Sequence, residues 1–332
     1  MTKQTKLNVL IKLAHLFEMN KVTWQLGGSA MLFLRGYIED FHDLDMMIPM
    51  SDAMKVDHLM SSIAHSMKEI THETDQSAFF RSYEIDGVHV DVMANLSFIS
   101  EGVVYHFPLE EKKSCDYTFL KNQKIYISDV SKWLTYYRLM KRYDRVKLIE
   151  DKLNMMQTFD IILKTPSQED IPQIASFRKA FIDKDESLHG GCGLSSYDDI
   201  EAWLSYLKLF LTKETLPLNR VVSSSFICLR KSDLKMVGIL HLRHELDEAL
   251  LLHGGHIGYS IHPDERGKKY AHEQLRLGLL ECDVLGINPV LITCNLDNEA
   301  SRRTILHAGG IKENDYAEED GNLVERYWIH RT

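Results

Sequence analysis

The chain has little cysteine: Cys115, Cys192, Cys228, Cys282 and Cys294 are all there is in 332 residues. The count is odd and no spacing is paired, so a disulfide framework is excluded and reduced thiols of a cytoplasmic protein are expected. No apolar run is long enough to span a bilayer. The N-terminal Met-Thr-Lys-Gln-Thr-Lys leads into an amphipathic helix, not a signal-peptide core, so no membrane partner is expected. Positive charge is not in excess. The formal net charge is −9, which argues against nucleic acid or an anionic membrane as the main partner. Internal repeats, low-complexity tracts and Gly/Ser-rich linkers are missing too, which excludes a solenoid or array. What is present is 44% apolar residues, enough for a core in each of the two domains that this length suggests.

In the first half, Leu7, Leu10, Ile11, Leu13, Ala14 and Phe17 predict a helix over 6–19. A short strand (22–26) precedes Gly27-Gly28-Ser29, which opens a helix running from Ala30 to Leu34. Asp43 to Ile48 reads as a strand entering a core. Ser51 or Asp52 caps a helix that runs to Met67. Strands 79–85 and 88–93 are joined by Asp86-Gly87, a hairpin signal. Short strands follow to Ile127, then helices over 129–142 and 144–157. Asp43 and Asp45, one residue apart on a strand, share a face. Asp91 lies in the alternating strand His89-Val90-Asp91-Val92-Met93. Three acids from neighbouring strands make a hard-oxygen site suited to Mg²⁺. Gly27, Gly28 and Ser29 at a helix start form a cradle for a nucleotide's phosphates. Together they describe metal-assisted transfer from a nucleoside triphosphate, with Asp91 also a candidate catalytic carboxylate.

In the second half, a strand over 159–164 leads to a helix over 167–183 that opens on the capping-box pattern Ser167 to Asp170. The flexible loop His189-Gly190-Gly191-Cys192-Gly193 precedes a helix over 198–211. Strands 221–229 and 235–243 flank a turn at Lys231-Ser232-Asp233, and a loop over 244–254 follows. Gly254 to Ile261 is a strand, broken by Pro263-Asp264. The run from Ala271 to Leu285 is helical, with Leu275, Leu279 and Cys282 on one face. Between strand and helix stands Arg266-Gly267-Lys268-Lys269-Tyr270-Ala271. A helix N-terminus presents unpaired N–H groups, and Arg266, Lys268 and Lys269 add positive charge, so an anion is expected here. A strand over 289–295 and a helix from Asn298 to Gly309-Gly310 complete the order.

Arg266 to Ala271 resembles motif A of the GNAT superfamily of acyl-CoA-dependent N-acetyltransferases, Arg/Gln-x-x-Gly-x-Gly/Ala, with Lys269 in place of the middle Gly. Gly254-Gly255-His256-Ile257-Gly258-Tyr259 and Arg326-Tyr327-Trp328-Ile329 resemble one GNAT branch in particular. The resemblance implies an acetyl-CoA site at Ser260, Ile261, Arg266, Gly267, Lys268, Lys269, Tyr270, Ala271, Asn298 and Ser301. The branch does not imply which substrate is used; a small amine is the expected acceptor, and in the GNAT resemblance the loop over 189–193 lies where it enters. The position where many members carry a catalytic Tyr is Ile305, so the common acid is missing, or Tyr259 or another group stands in. Glu245, His256 and His241 are the candidate bases, and Asn298 is a candidate near the pantetheine arm. A metal reading of His241, His244, His253 and His256 is disfavoured, since His241 and His244 fall on opposite strand faces. The acidic run Glu313, Asp315, Glu318, Glu319 and Asp320 is a solvated hairpin turn or a rim for a cationic substrate.

Gly28-Ser29, Asp43-Leu44-Asp45 and the later Asp91 resemble the polymerase-β-like nucleotidyltransferase superfamily. Arg35 and His42 to Asp45 are similar to its small antibiotic-modifying and toxin–antitoxin members. The helix from Arg145 partly matches, with Leu148 replacing an Asp. The expected fold is α+β in two domains. Residues 1–157 form a nucleotidyltransferase-like mixed sheet with helices. Residues 158–332 form a GNAT fold, a mostly antiparallel sheet flanked by helices. One expectation is a two-headed enzyme, acting on a polyhydroxylated amine of antibiotic type. The alternatives are an acetyltransferase with a non-catalytic nucleotide- or partner-binding module, or a toxin–antitoxin or regulatory protein that senses its ligands.

Overall fold

Leu7, Leu10, Leu13, Ala14 and Phe17 are all buried along one side of the first helix, the face that their helical spacing predicts. The computed structural model describes residues 1–69, 77–100, 102–109, 116–153, 160–317 and 321–331. The chain is α+β and divides into two compact units, residues 1–158 and 159–331. Cys115, residues 154–157, Phe159, Glu318, Glu319 and Asp320, all singled out above, lie outside the described residues.

The first unit runs α1 (Lys3–Met19), β1 (Gln25–Leu26), α2 (Gly28–Leu34), β2 (Leu44–Ile48), α3 (Ala53–Ser61), β3 (Ser66–Glu69), β4 (Phe79–Ile85) and β5 (Val88–Ala94). After these come β6 (Leu96–Ser100), β7 (Val103–Phe107), β8 (Asp116–Leu120), β9 (Gln123–Ile127), α4 (Val130–Leu139) and α5 (Tyr143–Leu153). A mixed sheet has the order β3-β4-β5-β2-β1-β9-β8, and β6 and β7 form a separate ribbon. The β4–β5 turn places Asp86 and Gly87 at φ 51 and 77, the left-handed pair that the Asp-Gly signal implies. β2 and β5 are parallel neighbours in register, Asp45 beside Asp91, so the two carboxylates share a face. The helix expected to reach Met67 ends at Ser61. Residues 66–69 instead pair with Arg81–Glu84 at the sheet edge. Asp52 does not cap the helix with its side chain; it accepts the Thr23 N–H at 3.0 Å.

The second unit runs β10 (Ile161–Lys164), α6 (Ile171–Ile182), α7 (Ile200–Lys208), β11 (Ser223–Arg230), β12 (Met236–Arg243), α8 (Glu248–Leu252) and β13 (Ile257–Ile261). It ends with α9 (Tyr270–Leu285), β14 (Val290–Asn295), α10 (Glu299–His307), β15 (Ile311–Ala317) and β16 (Leu323–Ile329). The capping box ahead of α6 is present, closed by Ser167 and Asp170. α8 lies inside the stretch expected to be loop; Asp247 caps it by accepting the Leu250 N–H at 2.8 Å. The strands make two antiparallel sheets, β10-β11-β12-β13 and β14-β16-β15. β13 and β14 are the facing edges of these sheets and meet at one end only. There His256 donates its N–H to the Leu291 carbonyl at 2.7 Å, and its Nδ1 accepts the Leu291 N–H at 2.9 Å. Beyond that stitch no ladder joins the two strands among the described residues, so a cleft opens between the sheets.

Candidate functional site

The mouth of that cleft is the turn from β13 into α9. His262 N–H bonds the Val237 carbonyl at 2.8 Å, and Pro263–Glu265 form a short 3₁₀ turn that ends the strand. Gly267 then takes φ 77 and Lys269 takes φ 64, so the chain curls left-handed twice before the helix begins. Lys269 caps α9 without a side-chain bond. Among the described residues, the backbone N–H groups of Arg266 to Ala271 find no acceptor. A run of unpartnered amides at the positive end of a 16-residue helix is an arrangement that suits an anion. Lys269, where the motif has Gly, keeps the left-handed backbone that Gly would adopt freely.

Glu265 holds this turn in place. Its carboxylate is 3% exposed and bonds Lys235 and Lys268 at 2.7 Å and Arg230 at 3.0 Å. Burial pushes the carboxyl up, but the ammonium groups outweigh it and hold it down at about 2. Lys268 is thereby turned to Glu265, and Arg266 pairs with Glu186. Lys269 has no ion pair among the described residues.

The cavity beside the turn has a volume of about 650 Å³. Every residue expected to hold the cofactor lines it except Lys268. The two strand residues play different parts. Bonded pairs recur at every second residue of an antiparallel ladder, and 262 pairs with 237, so the Ser260 backbone faces β12 and the Ile261 backbone faces the cleft. Ser260 contributes its hydroxyl instead. That group donates to the His189 carbonyl at 2.8 Å and accepts the His189 N–H at 3.0 Å. Gly190, at φ 72, then lies so close to β13 that a Cβ would sit 2.3 Å from the Gly258 carbonyl oxygen. The loop over 189–193 is therefore fastened across the strand.

Tyr259 is half-buried, and its hydroxyl meets Ser301 Oγ at 3.1 Å; desolvation of the phenol pushes it up to about 12, so it is protonated at neutral pH. Asn298 lines the cavity and also caps α10, accepting the Ser301 N–H at 3.0 Å. Ile305 is fully buried in the core. The three candidate bases are placed elsewhere. Glu245 is exposed, 3.7 Å from Lys213, and is not among the lining residues. His241 is buried against Ser225 Oγ at 2.8 Å, and burial drives it down to about 3. His256 serves as the stitch to β14, and burial drives it down to about 4. Spacing alone did not separate these structural histidines from a base, and it missed Glu265 and the Ser260–His189 clamp, whose partners are distant in sequence. On β15, Glu313 pairs with Arg326 and Asp315 with Lys312.

In the first unit, Ser29 Oγ donates to Asp43 Oδ1 at 2.9 Å. A Cβ on Gly28, at φ 55, would lie 1.6 Å from Asp45 Oδ2, so only glycine admits that carboxylate against the start of α2. Burial, then the charges of Asp43 and Asp91, raise the Asp45 carboxyl well above its ordinary range. Among the described residues no three His, Cys, Asp or Glu side chains stand at metal-ligating spacing, so the expected set at Asp43, Asp45 and Asp91 is close but not closed. Gly27 is engaged on both sides: its N–H bonds the Asp45 carbonyl at 2.8 Å, and a Cβ there would meet the Trp133 ring at 2.0 Å. No helix of the described residues is long and apolar enough to cross a membrane.

Residues 160–311 match the model of the acetyltransferase (GNAT) domain. Among solved structures, the chain is similar to the microcin C7 self-immunity acetyltransferase MccE in complex with acetyl-CoA and AMP. Identity is 16%, over 52% of this chain and 93% of that one, with a TM-score of 0.41. It is also similar to spermidine N-acetyltransferase from Vibrio cholerae, 13% identical over 52% of this chain and 95% of that one, with a TM-score of 0.40. A Thermotoga maritima protein assigned as a nucleotidyltransferase is 22% identical over 47% of this chain and 97% of that one, with a TM-score of 0.38. No curated protein matches the sequence.

Proposed function

We propose, with residues 160–311 as a GNAT acetyltransferase domain, that the second unit is an acyltransferase carrying the acetyl group of acetyl-CoA to a small amine. The observation that carries this reading is the run of amides from Arg266 to Ala271, unpartnered among the described residues and facing a cavity of about 650 Å³. These amides and Lys269 would hold the cofactor's pyrophosphate; each charge-assisted bond is worth ~1.5–3 kcal/mol. The Ile261 edge of β13, open toward the cleft, would carry the pantetheine arm and polarise the acyl carbonyl. Acetyl-CoA supplies an activated acyl group on a thiolate leaving group. Tyr259 keeps its proton at neutral pH and would give it to that thiolate, with Ser301 orienting the hydroxyl.

The test is calorimetry with acetyl-CoA on the wild type and on the double variant Arg266→Glu, Gly267→Asp. Binding lost in the variant supports the site, and equal binding removes it. Turnover with a panel of amines, polyamines and aminoglycosides among them, then separates an enzyme from a sensor.

A second reading concerns the first unit. Asp45 beside Asp91 in register and the close approach of Asp45 to Gly28 favour a Mg²⁺–nucleotide site. In that reading Asp43, Asp45 and Asp91 hold the metal, and the start of α2 holds the phosphates. The unit is either an active nucleotidyltransferase, which would suit an antibiotic-type substrate, or a binding module. Calorimetry with Mg-ATP on the wild type and on Asp43→Ala/Asp45→Ala decides whether it binds at all.

A further inference from the structure

Acetyl transfer needs a free amine lone pair, and none of the three bases expected from the sequence is available in the cavity. The titratable and charged groups of the cavity wall are Glu186, His189, Tyr259, Glu265, Arg266, Lys269, Tyr270, His272 and Arg303. Nearly all have another duty. Glu186 pairs with Arg266, Glu265 is held by three cations, and Arg303 pairs with Glu299. The His272 ring lies 4.5 Å from the His307 ring, in the first turn of α9 beside the anion site. Tyr270 takes a bond from Arg230 at 3.4 Å, and Tyr259 carries its proton at neutral pH. Lys269 belongs to the anion site.

His189 is left. Its imidazole has no hydrogen bond, ion pair or ring contact among the described residues, and the residue is exposed on the cavity wall. Its backbone, by contrast, is fixed. Both its N–H and its carbonyl are bonded by the Ser260 hydroxyl, and Ser260 precedes Ile261, whose backbone faces the cleft. The next residue, Gly190, lies in contact with Gly258. An untethered imidazole on a backbone clamped beside the acyl site is the arrangement that a proton acceptor requires. We propose that His189 is the general base of the second unit, taking a proton from the acceptor amine. This rests on the acetyltransferase reading above.

The acceptor's ammonium group gives one proton to an imidazole nitrogen of His189, which passes it to bulk water. The free amine forms the C–N bond while the C–S bond breaks, and its second proton leaves to solvent. Tyr259 protonates the departing sulfur and regains a proton from solvent. One proton is released per turnover.

The experiment measures kcat and kcat/KM against pH for the wild type, His189→Gln and His189→Ala, with acetyl-CoA affinity measured by calorimetry on each. The clamp uses the backbone of His189, so both variants keep the loop in place. Expected is a loss of about 10²–10⁴-fold in kcat at neutral pH, with acetyl-CoA affinity unchanged. The acid limb of the profile should disappear in His189→Gln, and added imidazole should restore part of the rate in His189→Ala. A wild-type rate with an unchanged acid limb in His189→Gln overturns the proposal and leaves the acetyltransferase reading standing. A wild type that turns over no amine overturns both.

Discussion

Arg266 closes against Glu186, eighty residues earlier in the chain, so the first residue of the turn proposed to hold the pyrophosphate is already engaged. Both side chains are partly exposed, 49% and 35%, and such pairs are worth only ~0.2–1 kcal/mol. Glu186 is therefore a weak competitor for the position that a diphosphate would take. Glu186→Gln should tighten acetyl-CoA binding by up to about fivefold, the equivalent of ~1 kcal/mol, and steepen its dependence on salt. Calorimetry at two ionic strengths checks this. Weaker binding in the variant would mean that Glu186 orients Arg266 and does not compete for it.

Lys269 holds φ 64 at a position where the GNAT motif has Gly. A non-Gly residue in that region costs ~1–3 kcal/mol, partly offset because Gly has more freedom to lose on folding. Lys269→Gly should therefore melt at or above the wild-type temperature, whereas Lys269→Ala keeps the strain and should melt below Lys269→Gly. Both lose a cation at the anion site, so both should bind acetyl-CoA more weakly, by about tenfold for ~1.4 kcal/mol. Equal melting temperatures for the two variants would show that the left-handed backbone carries no cost here.

Sequence made legible what is contiguous or periodic. α1 and α9 follow from apolar spacing, the β4–β5 hairpin from Asp86-Gly87, and the strand-to-helix turn with its bare amides from six consecutive residues that need no distant partner. It failed where the deciding partner is remote. Residues 62–67 look like more helix because Ile63 and Met67 continue the apolar pattern, yet β4 recruits 66–69 as a strand. Glu265 sits among charges in the sequence, but its cage needs Arg230 and Lys235, thirty or more residues away. His189 read as part of a flexible loop because nothing local reveals that Ser260, 71 residues on, holds its backbone. The histidines that spacing did offer are spent on hydrogen bonds, His241 within a sheet and His256 between the two sheets.

Glu265 should make the second unit acid-sensitive. Its carboxyl is held at about 2 in the folded chain, below the ordinary value of about 4.3. A carboxyl lowered on folding contributes stability that is complete above its unfolded pKa and is lost as pH falls through the folded one. Thermal melts should thus be flat near neutral pH and decline below about pH 4.5, toward pH 2. Glu265→Gln should melt lower at neutral pH, since Arg230, Lys235 and Lys268 lose their shared anion, and should show a shallower acid decline. Glu325, caged by Arg302 and Lys312 and also held at about 2, adds to the same slope, so the variant reduces the decline without abolishing it. An unchanged decline in Glu265→Gln would assign the acid sensitivity to other groups.

Asp45 should behave in the opposite sense. Its carboxyl is raised by burial and by Asp43 and Asp91, so its ionised form is disfavoured on folding. Stability from this group is therefore lost as pH rises above the ordinary carboxylate range, and is regained on acidification. Asp45→Asn removes that cost, and the full chain should show a transition raised at pH 7; ~1 kcal/mol corresponds to about 2–4 °C for a unit of this size. The gain should shrink as pH falls toward 4. Millimolar Mg²⁺ offers the wild type the same relief through a different agent, by neutralising the acids. Calorimetric scans should therefore show Mg²⁺ raising the wild-type transition and leaving Asp45→Asn nearly unmoved, with EDTA reversing the shift. If Asp45→Asn melts lower than the wild type without metal, the carboxylate is a structural anchor for the start of α2, and the proposed Mg²⁺ site loses it as a ligand.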